Sequence, residues 1–308
     1  MKGKKAIRVI LIVLAVLVVV GGVGWHLALN LGAAPEETDY AVDIEKVRLL
    51  ATESGEALPV ELHGIVIAVS EAPNSLAIAG GGGDISDWVF PTFQIVYDDR
   101  TIVIDPVNDE SLLDKLVGEP VFYRDAYDEM QRAMDEAWMI VATHEHFDHV
   151  GGLAASPNIS DLMGKTVLSR EQVESPIIED AGFPEGVLEA YEPLEYEDLY
   201  RLAPGVVLIK SPGHTPGSQM IYVVLDDGTE YLLIGDVVWQ WDNIKNATIK
   251  PWLASAIMHE DRETLKAETR WLSNVFVSSD TVLIPIINHD AKMIKGYFDD
   301  GVIKEGLL

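Results

Sequence analysis

Thr143-His144-Glu145-His146-Phe147-Asp148-His149-Val150-Gly151-Gly152 is the stretch on which the fold turns. The residues before it, Trp138-Met139-Ile140-Val141-Ala142, are apolar and partly β-branched, which predicts a short buried strand. The four potential ligands His144, His146, Asp148 and His149 therefore fall where a strand ends, and Val150 to Ala155 reads as the start of a helix. On extended backbone, residues i and i+2 point the same way. His144 and His146 can then grip one ion, while Asp148 and His149 follow where the chain turns and can face a second position. Imidazole with carboxylate suits zinc, iron or manganese.

Other strand ends carry isolated donors. Val206 to Lys210 is a predicted strand, and Ser211-Pro212-Gly213-His214-Thr215-Pro216-Gly217-Ser218 follows it. Two prolines and two glycines make a stiff turn that holds His214 outside the strand. Asp236 terminates the apolar run Tyr231 to Ile234, where a carboxylate is costly unless it is hydrogen-bonded or bound to metal. His289 follows Val282 to Ile287 in the same manner.

Two hairpins are predicted, Thr92–Tyr97 with Thr101–Asp105 and Gln219–Leu225 with Thr229–Asp236. Helices are predicted at Ala126–Ala137, Arg262–Phe276 and Ala291–Phe298, the second with Leu265, Trp271, Leu272 and Phe276 at helical intervals. The order indicates layered α/β structure with helices outside and two sheets inside. Ala79-Gly80-Gly81-Gly82-Gly83-Asp84 reads as a flap beside a pocket, because no Gly-Lys-Ser/Thr follows to make a phosphate cradle. The aromatic segment Trp239-Gln240-Trp241, with Trp252, reads either as the lining of an apolar pocket or as ordinary packing.

At this point the sequence resembles the metallo-β-lactamase superfamily. His144, His146, Asp148 and His149 match its His-x-His-x-Asp-His signature. The turn around His214 matches the next motif, and Asp236 and His289 match the later single ligands in order. The resemblance covers about residues 58–308 and implies an αββα four-layer sandwich. It implies two divalent metal ions, most simply Zn(II), with Fe or Mn as substitutes. His144, His146 and His214 would hold one; Asp148, His149 and His289 would hold the other; Asp236 would bridge. Asp148 and Asp236 would be the catalytic carboxylates. True β-lactamases lack the bridging aspartate, so the resemblance points to lactonases, glyoxalase II-like thioesterases and phosphodiesterases. Asn288-His289-Asp290 is most similar to the lactonase branch. The activity implied is hydrolysis of an ester, lactone or thioester of a small molecule. A redox alternative is a persulfide dioxygenase with one iron on His144, His214 and Asp236.

Composition bounds the rest. The chain has 308 residues, 48% of them hydrophobic, and a formal net charge of −28. That charge disfavours nucleic acid as a partner, since binding it depends on basic surface; solubility or a salty medium accounts for the acidity. The chain has no cysteine, so thiol catalysis, thiolate ligands and disulfides are excluded. Residues 1–8 are basic, with Lys2, Lys4, Lys5 and Arg8, and no charged residue occurs from Val9 to Pro35. Residues 9–29 are long enough to cross ~30 Å of hydrocarbon as a transmembrane helix. Basic residues before the span place the catalytic part outside the cytoplasm. A cleaved signal peptide, ending at Gly22-Val23-Gly24 or Gly32-Ala33-Ala34, is the rival reading. Residues 30–57 are acidic and read as a tether with a short helix near Ile44–Thr52, leading into a catalytic domain over 58–308.

Overall fold

The computed structural model describes residues 18–279 and 281–308. Its strands are β1 (Glu61–Pro73), β2 (Ile85–Val96), β3 (Thr101–Ile104), β4 (Val121–Phe122), β5 (Met139–Val141), β6 (Thr166–Val167), β7 (Leu199–Ala203), β8 (Val206–Lys210), β9 (Gln219–Val224), β10 (Glu230–Leu233), β11 (Ile284–Ile286) and β12 (Lys304–Glu305). One sheet runs β12-β1-β2-β3-β5-β6, with β4 beside β1; the other runs β11-β10-β9-β8-β7.

The side-chain pattern explains why so many strands are apolar throughout. In β9, Ile221 and Val223 enter the core between the sheets, while Met220, Tyr222 and Val224 pack on the other side. In β3, Ile102 and Ile104 face the inter-sheet core and Val103 faces outward. Both faces of each sheet are covered, so alternation of apolar and polar residues is lost. The outer face of the second sheet is capped by helices Ile44–Thr52 and Arg262–Phe276 through Val47, Ala51, Leu265, Trp271 and Leu272. Helix Arg124–Glu136 covers the first sheet with Met130, Ala133 and Met134. The result is the expected four layers, helix, sheet, sheet, helix. Each fully buried Leu or Ile in them contributes about 1.5–3 kcal/mol.

The predicted hairpins and helices are present. Asp261 starts the helix Arg262–Phe276 by accepting the backbone N–H of Glu263 and Thr264. Asp290 starts Ala291–Asp299 by accepting Met293 N–H. One boundary shifts: the helix after the histidine run begins at Phe147, not Val150, with His146 at its N-cap. Asp148 and His149 therefore sit in a first helical turn.

Residues 9–17 of the predicted transmembrane span lie outside the described residues. Residues 18–30 are helical. Among the described residues no helix is long and apolar enough to cross a membrane. The segment predicted as a tether lies against the domain along much of its length. Ile249 N–H donates to Gly32 O, Ala34 N–H to Ala247 O, and Tyr40 Oη–H to Lys210 O. Tyr40 also packs edge-on against Trp271, 5.9 Å between ring centres. The loop with four glycines is likewise held, by Ser75 N–H to Gly82 O and Gly80 N–H to Leu29 O.

Candidate metal centre

The seven predicted ligands come from the C-terminal ends of β5, β8, β10 and β11 and the helix turn after β5. β5 runs parallel to β3, and β11 runs parallel to β10, so these ends share one edge of the sandwich. All seven converge there. Ligand atoms of His144, His146 and His214 lie within 4.8 Å of one another, as do those of His144, His149 and Asp236, and those of Asp148, His149 and His289.

His144, His149, His214 and His289 each have Nε2 turned inward and Nδ1 engaged outside. His149 Nδ1 lies 2.9 Å from Asp105 Oδ2. His214 Nδ1 lies 2.7 Å from Glu260 Oε1, His289 Nδ1 2.9 Å from Val89 O, and His144 Nδ1 3.1 Å from Thr143 Oγ1. Such outer contacts fix the tautomer that leaves Nε2 free as a donor to metal. Inward, His289 Nε2 is 3.2 Å from Asp236 Oδ2, His214 Nε2 3.6 Å from the same atom, and His149 Nε2 3.5 Å from Asp236 Oδ1. His149 Nε2 and His289 Nε2 both stand 3.6 Å from Asp148 Oδ2. His146 meets His214 through Nδ1, 3.0 Å from His214 Nε2.

The donor set fits metal. His144 Nε2, His149 Nε2 and Asp236 Oδ1 are buried without a hydrogen-bond partner. Buried polar atoms are ordinarily paired, and here three unpaired ones point at a common centre. Electrostatics agree. Burial holds His144 and His146 well below the usual imidazole range, reinforced by His149 beside the first and His214 beside the second. Burial lowers His214 also, with Lys250 adding to it. At His149 burial opposes the charge, but Asp148, Asp105 and Asp236 together outweigh it and push the group up to about 10. His289 is raised in the same way, against burial, chiefly by Asp236. Asp236 stays well below the carboxylate range, because His289 and His149 outweigh its burial. A cation bound here would compete with protons at His149 and His289 and meet an Asp236 that favours its ionised form.

A second tier of residues carries no motif. Asp105 is fully buried, has φ +54°, and accepts from Thr143 N, Thr143 Oγ1, His149 Nδ1 and Asn288 Nδ2. The only sequence signal was its place after an apolar strand, shared with Asp236. Lys250, also fully buried, lies 2.7 Å from Glu260 Oε1, donates to Asp236 O at 2.7 Å and stands over the Trp239 ring. Glu145 ties the histidine run to the 213–218 turn, accepting from Thr215 Oγ1 and Gly217 N. Gly213 is required by close packing: a Cβ there would lie 2.4 Å from Glu268 Oε2 and 2.7 Å from Leu265 N. Trp239 donates its indole N–H to Asp236 Oδ2 at 2.6 Å, and its ring packs on Trp88 and against His289. Asp290 contributes structure: beyond capping its helix, it accepts Trp241 N–H at 2.8 Å. His63, outside these motifs, pairs with Glu61 on β1.

No protein-family model matches the chain. It is 28% identical over 138 residues to an N-acyl homoserine lactonase of Bacillus thuringiensis, covering 44% of this chain and 53% of that protein. It is 30% identical over 110 residues to an N-acyl homoserine lactonase of a Bacillus species, covering 35% and 41%. The chain thus spans about half the length of these relatives. Among solved structures it is similar to an N-acyl homoserine lactone hydrolase with the product N-hexanoyl-L-homoserine at its catalytic metal centre: TM-score 0.58, 19% identity, 78% of this chain and 96% of that one. A probable metal-dependent hydrolase from Staphylococcus aureus gives TM-score 0.57 at 12% identity, over 76% and 91%. The chain has the mixed α/β fold that these metal-dependent hydrolases share.

Proposed function

We propose that this chain is a metal-dependent hydrolase that opens lactones, and by extension simple esters or thioesters, of small acylated molecules. The observation that carries the reading is the set of inward, unpartnered donors whose outer atoms are all engaged. The similarity to lactonases supports it.

His144, His146 and His214 would hold one divalent cation, Asp148, His149 and His289 a second, and Asp236 both, most simply as zinc. Bound, such a pair would supply Lewis acidity and a water whose pKa is lowered toward ~7. The remaining work belongs to the chain. Asp105 and Glu260 hold His149 and His214 in the tautomer that presents Nε2 inward. Trp239 and Trp88 place apolar surface against His289, which keeps bulk water from that side. Asp148, next to His149 and His289, is placed to orient water and return a proton to the departing alkoxide oxygen. Beside Asp290 a cleft of about 550 Å³, lined by Val69, Ser86, Val89, Gln240 and Trp241, offers room for an acyl chain. The uncharged run 9–29 behind the basic residues Lys2, Lys4, Lys5 and Arg8 supports a membrane-anchored enzyme with its catalytic domain outside the cytoplasm.

The test is metal content together with turnover of lactone, thioester, phosphodiester and β-lactam substrates. Two divalent ions per chain and preferred lactone opening are expected, with Asp236→Ala or His146→Ala losing metal and activity together. Full turnover by a metal-free variant, or turnover of phosphodiesters alone, refutes the reading.

A further inference from the structure

An exposed apolar rim surrounds the point where the N-terminal helical segment meets the domain. Leu76 and Ile85 stand on the two sides of the glycine loop, 43% and 59% exposed; Trp252 and Ile257 stand on the helix Trp252–Ile257, 53% and 67% exposed. Hydrogen bonds knit these pieces to the segment's root. Gly80 N–H donates to Leu29 O, Ala79 N–H to Ile249 O, and Arg262 Nη2 to Leu31 O. The segment itself, residues 18–30, has no charged side chain and leaves Val18, Val19, Val20, Val23 and Trp25 exposed.

We propose that this rim seats the catalytic domain on the surface of a lipid bilayer. The inference rests on the membrane reading above and extends it from the anchor to the domain. Large exposed apolar residues gathered on one face of a domain need an occupant. Here the chain itself says which. The seventeen residues before Val18 continue the uncharged run back to Val9 and begin with a basic cluster, so the root of the segment is where a span would leave the lipid. Trp25 and Trp252 carry the amphipathic ring favoured at that depth. The net charge of −28 opposes an anionic surface, so the seat is apolar and suits zwitterionic lipid. Behind the rim, Ala77 and Ile78 pack on Trp239 together with Met258 and Trp88, and Trp239 touches Asp236 and His289. One apolar layer then separates lipid from the metal centre, which favours substrates with an acyl chain dissolved in the membrane.

Because the chain contains no cysteine, a single introduced thiol reports one place. Full-length Ile85→Cys, Ile257→Cys and Val282→Cys, each labelled with a fluorophore, are incorporated into phosphatidylcholine vesicles with brominated acyl chains. Val282 is 74% exposed just before β11, whose far end leads to His289. Strong quenching at 85 and 257 with little at 282 supports the seat. Equal quenching at all three overturns it while leaving the anchor intact. So does protection of 85 and 257 from iodide before lipid is added, which a second copy of the chain would give. A chain that fails to sediment with vesicles overturns the anchor itself.

Discussion

Glu260 Oε1 lies 2.7 Å from His214 Nδ1, and both side chains are wholly shielded from solvent. The same oxygen meets Lys250 Nζ at 2.7 Å. One carboxylate therefore sets the tautomer of a proposed ligand and neutralises a buried lysine. Burial opposes its ionisation, but Lys250 and His214 overcome that and hold it at about 2.

Glu260→Gln is expected to weaken metal binding about 10–100-fold, measured by competition with a chelator. It also strands the Lys250 ammonium, at a cost of about 3–5 kcal/mol. Adding Lys250→Met should restore much of the melting temperature and none of the affinity. If the double variant regains affinity, Glu260 serves the lysine and not the histidine.

Asp105→Asn tests the opposite side of the centre. Asparagine tolerates the φ of +54° at this position, so backbone strain stays small. Its amide would face donors at Thr143, His149 and Asn288 with too few acceptors. A loss of about 2–4 kcal/mol in stability is expected. The metal count should fall from two to one, because His149 loses its orienting partner. Two retained ions, counted by mass spectrometry, would contradict the role given to Asp105.

What the sequence disclosed and what it hid follow the same logic. His214, Asp236 and His289 were legible because each follows an apolar strand with a group that has no reason to be there unless it binds something. Glu260 was not, since it reaches His214 across 46 positions and lies in no pattern. The 30–57 segment read as a tether because its acidic side chains suggested solvent, whereas it is held partly by backbone groups such as those of Gly32 and Ala34. Backbone hydrogen bonding leaves no mark on composition. Glu268 lies three positions after Leu265 and four before Leu272, on the apolar stripe of its helix, and is buried with it.

Gly152 is where helix Phe147–Ala154 touches the chain after β3. A Cβ there would lie 2.4 Å from Val107 O and 2.9 Å from Pro106 O, both backbone atoms that cannot swing away. Gly152→Ala is therefore expected to push the helix and its proposed ligands Asp148 and His149 off the site. A cost of about 1–3 kcal/mol is expected, the range of overpacking. Denaturant melts would read it. The loss of affinity should fall on the second ion more than the first; equal loss of both would mean general unfolding and not displacement of this helix.

Glu268 supplies a pH dependence of stability. Its Oε1 accepts Gly213 N–H at 3.1 Å while Oε2 is buried without a partner. Burial raises it from 4.5 to about 8, despite the Gly213 hydrogen bond. A carboxyl whose folded value exceeds its unfolded value holds more protons folded than unfolded between those limits. Its contribution is therefore most favourable below pH ~4.5 and declines as pH rises toward ~8, by at most about 1.4 kcal/mol per pH unit. Glu268→Gln keeps an acceptor for Gly213 and cannot ionise. The variant should gain on the order of 2 kcal/mol at pH 8 relative to its gain at pH 5, roughly 4–8 °C in melting temperature. Thermal melts of the metal-loaded protein at both pH values decide it: an equal shift at pH 5 and pH 8 would mean that Glu268 is ionised in the folded chain at both.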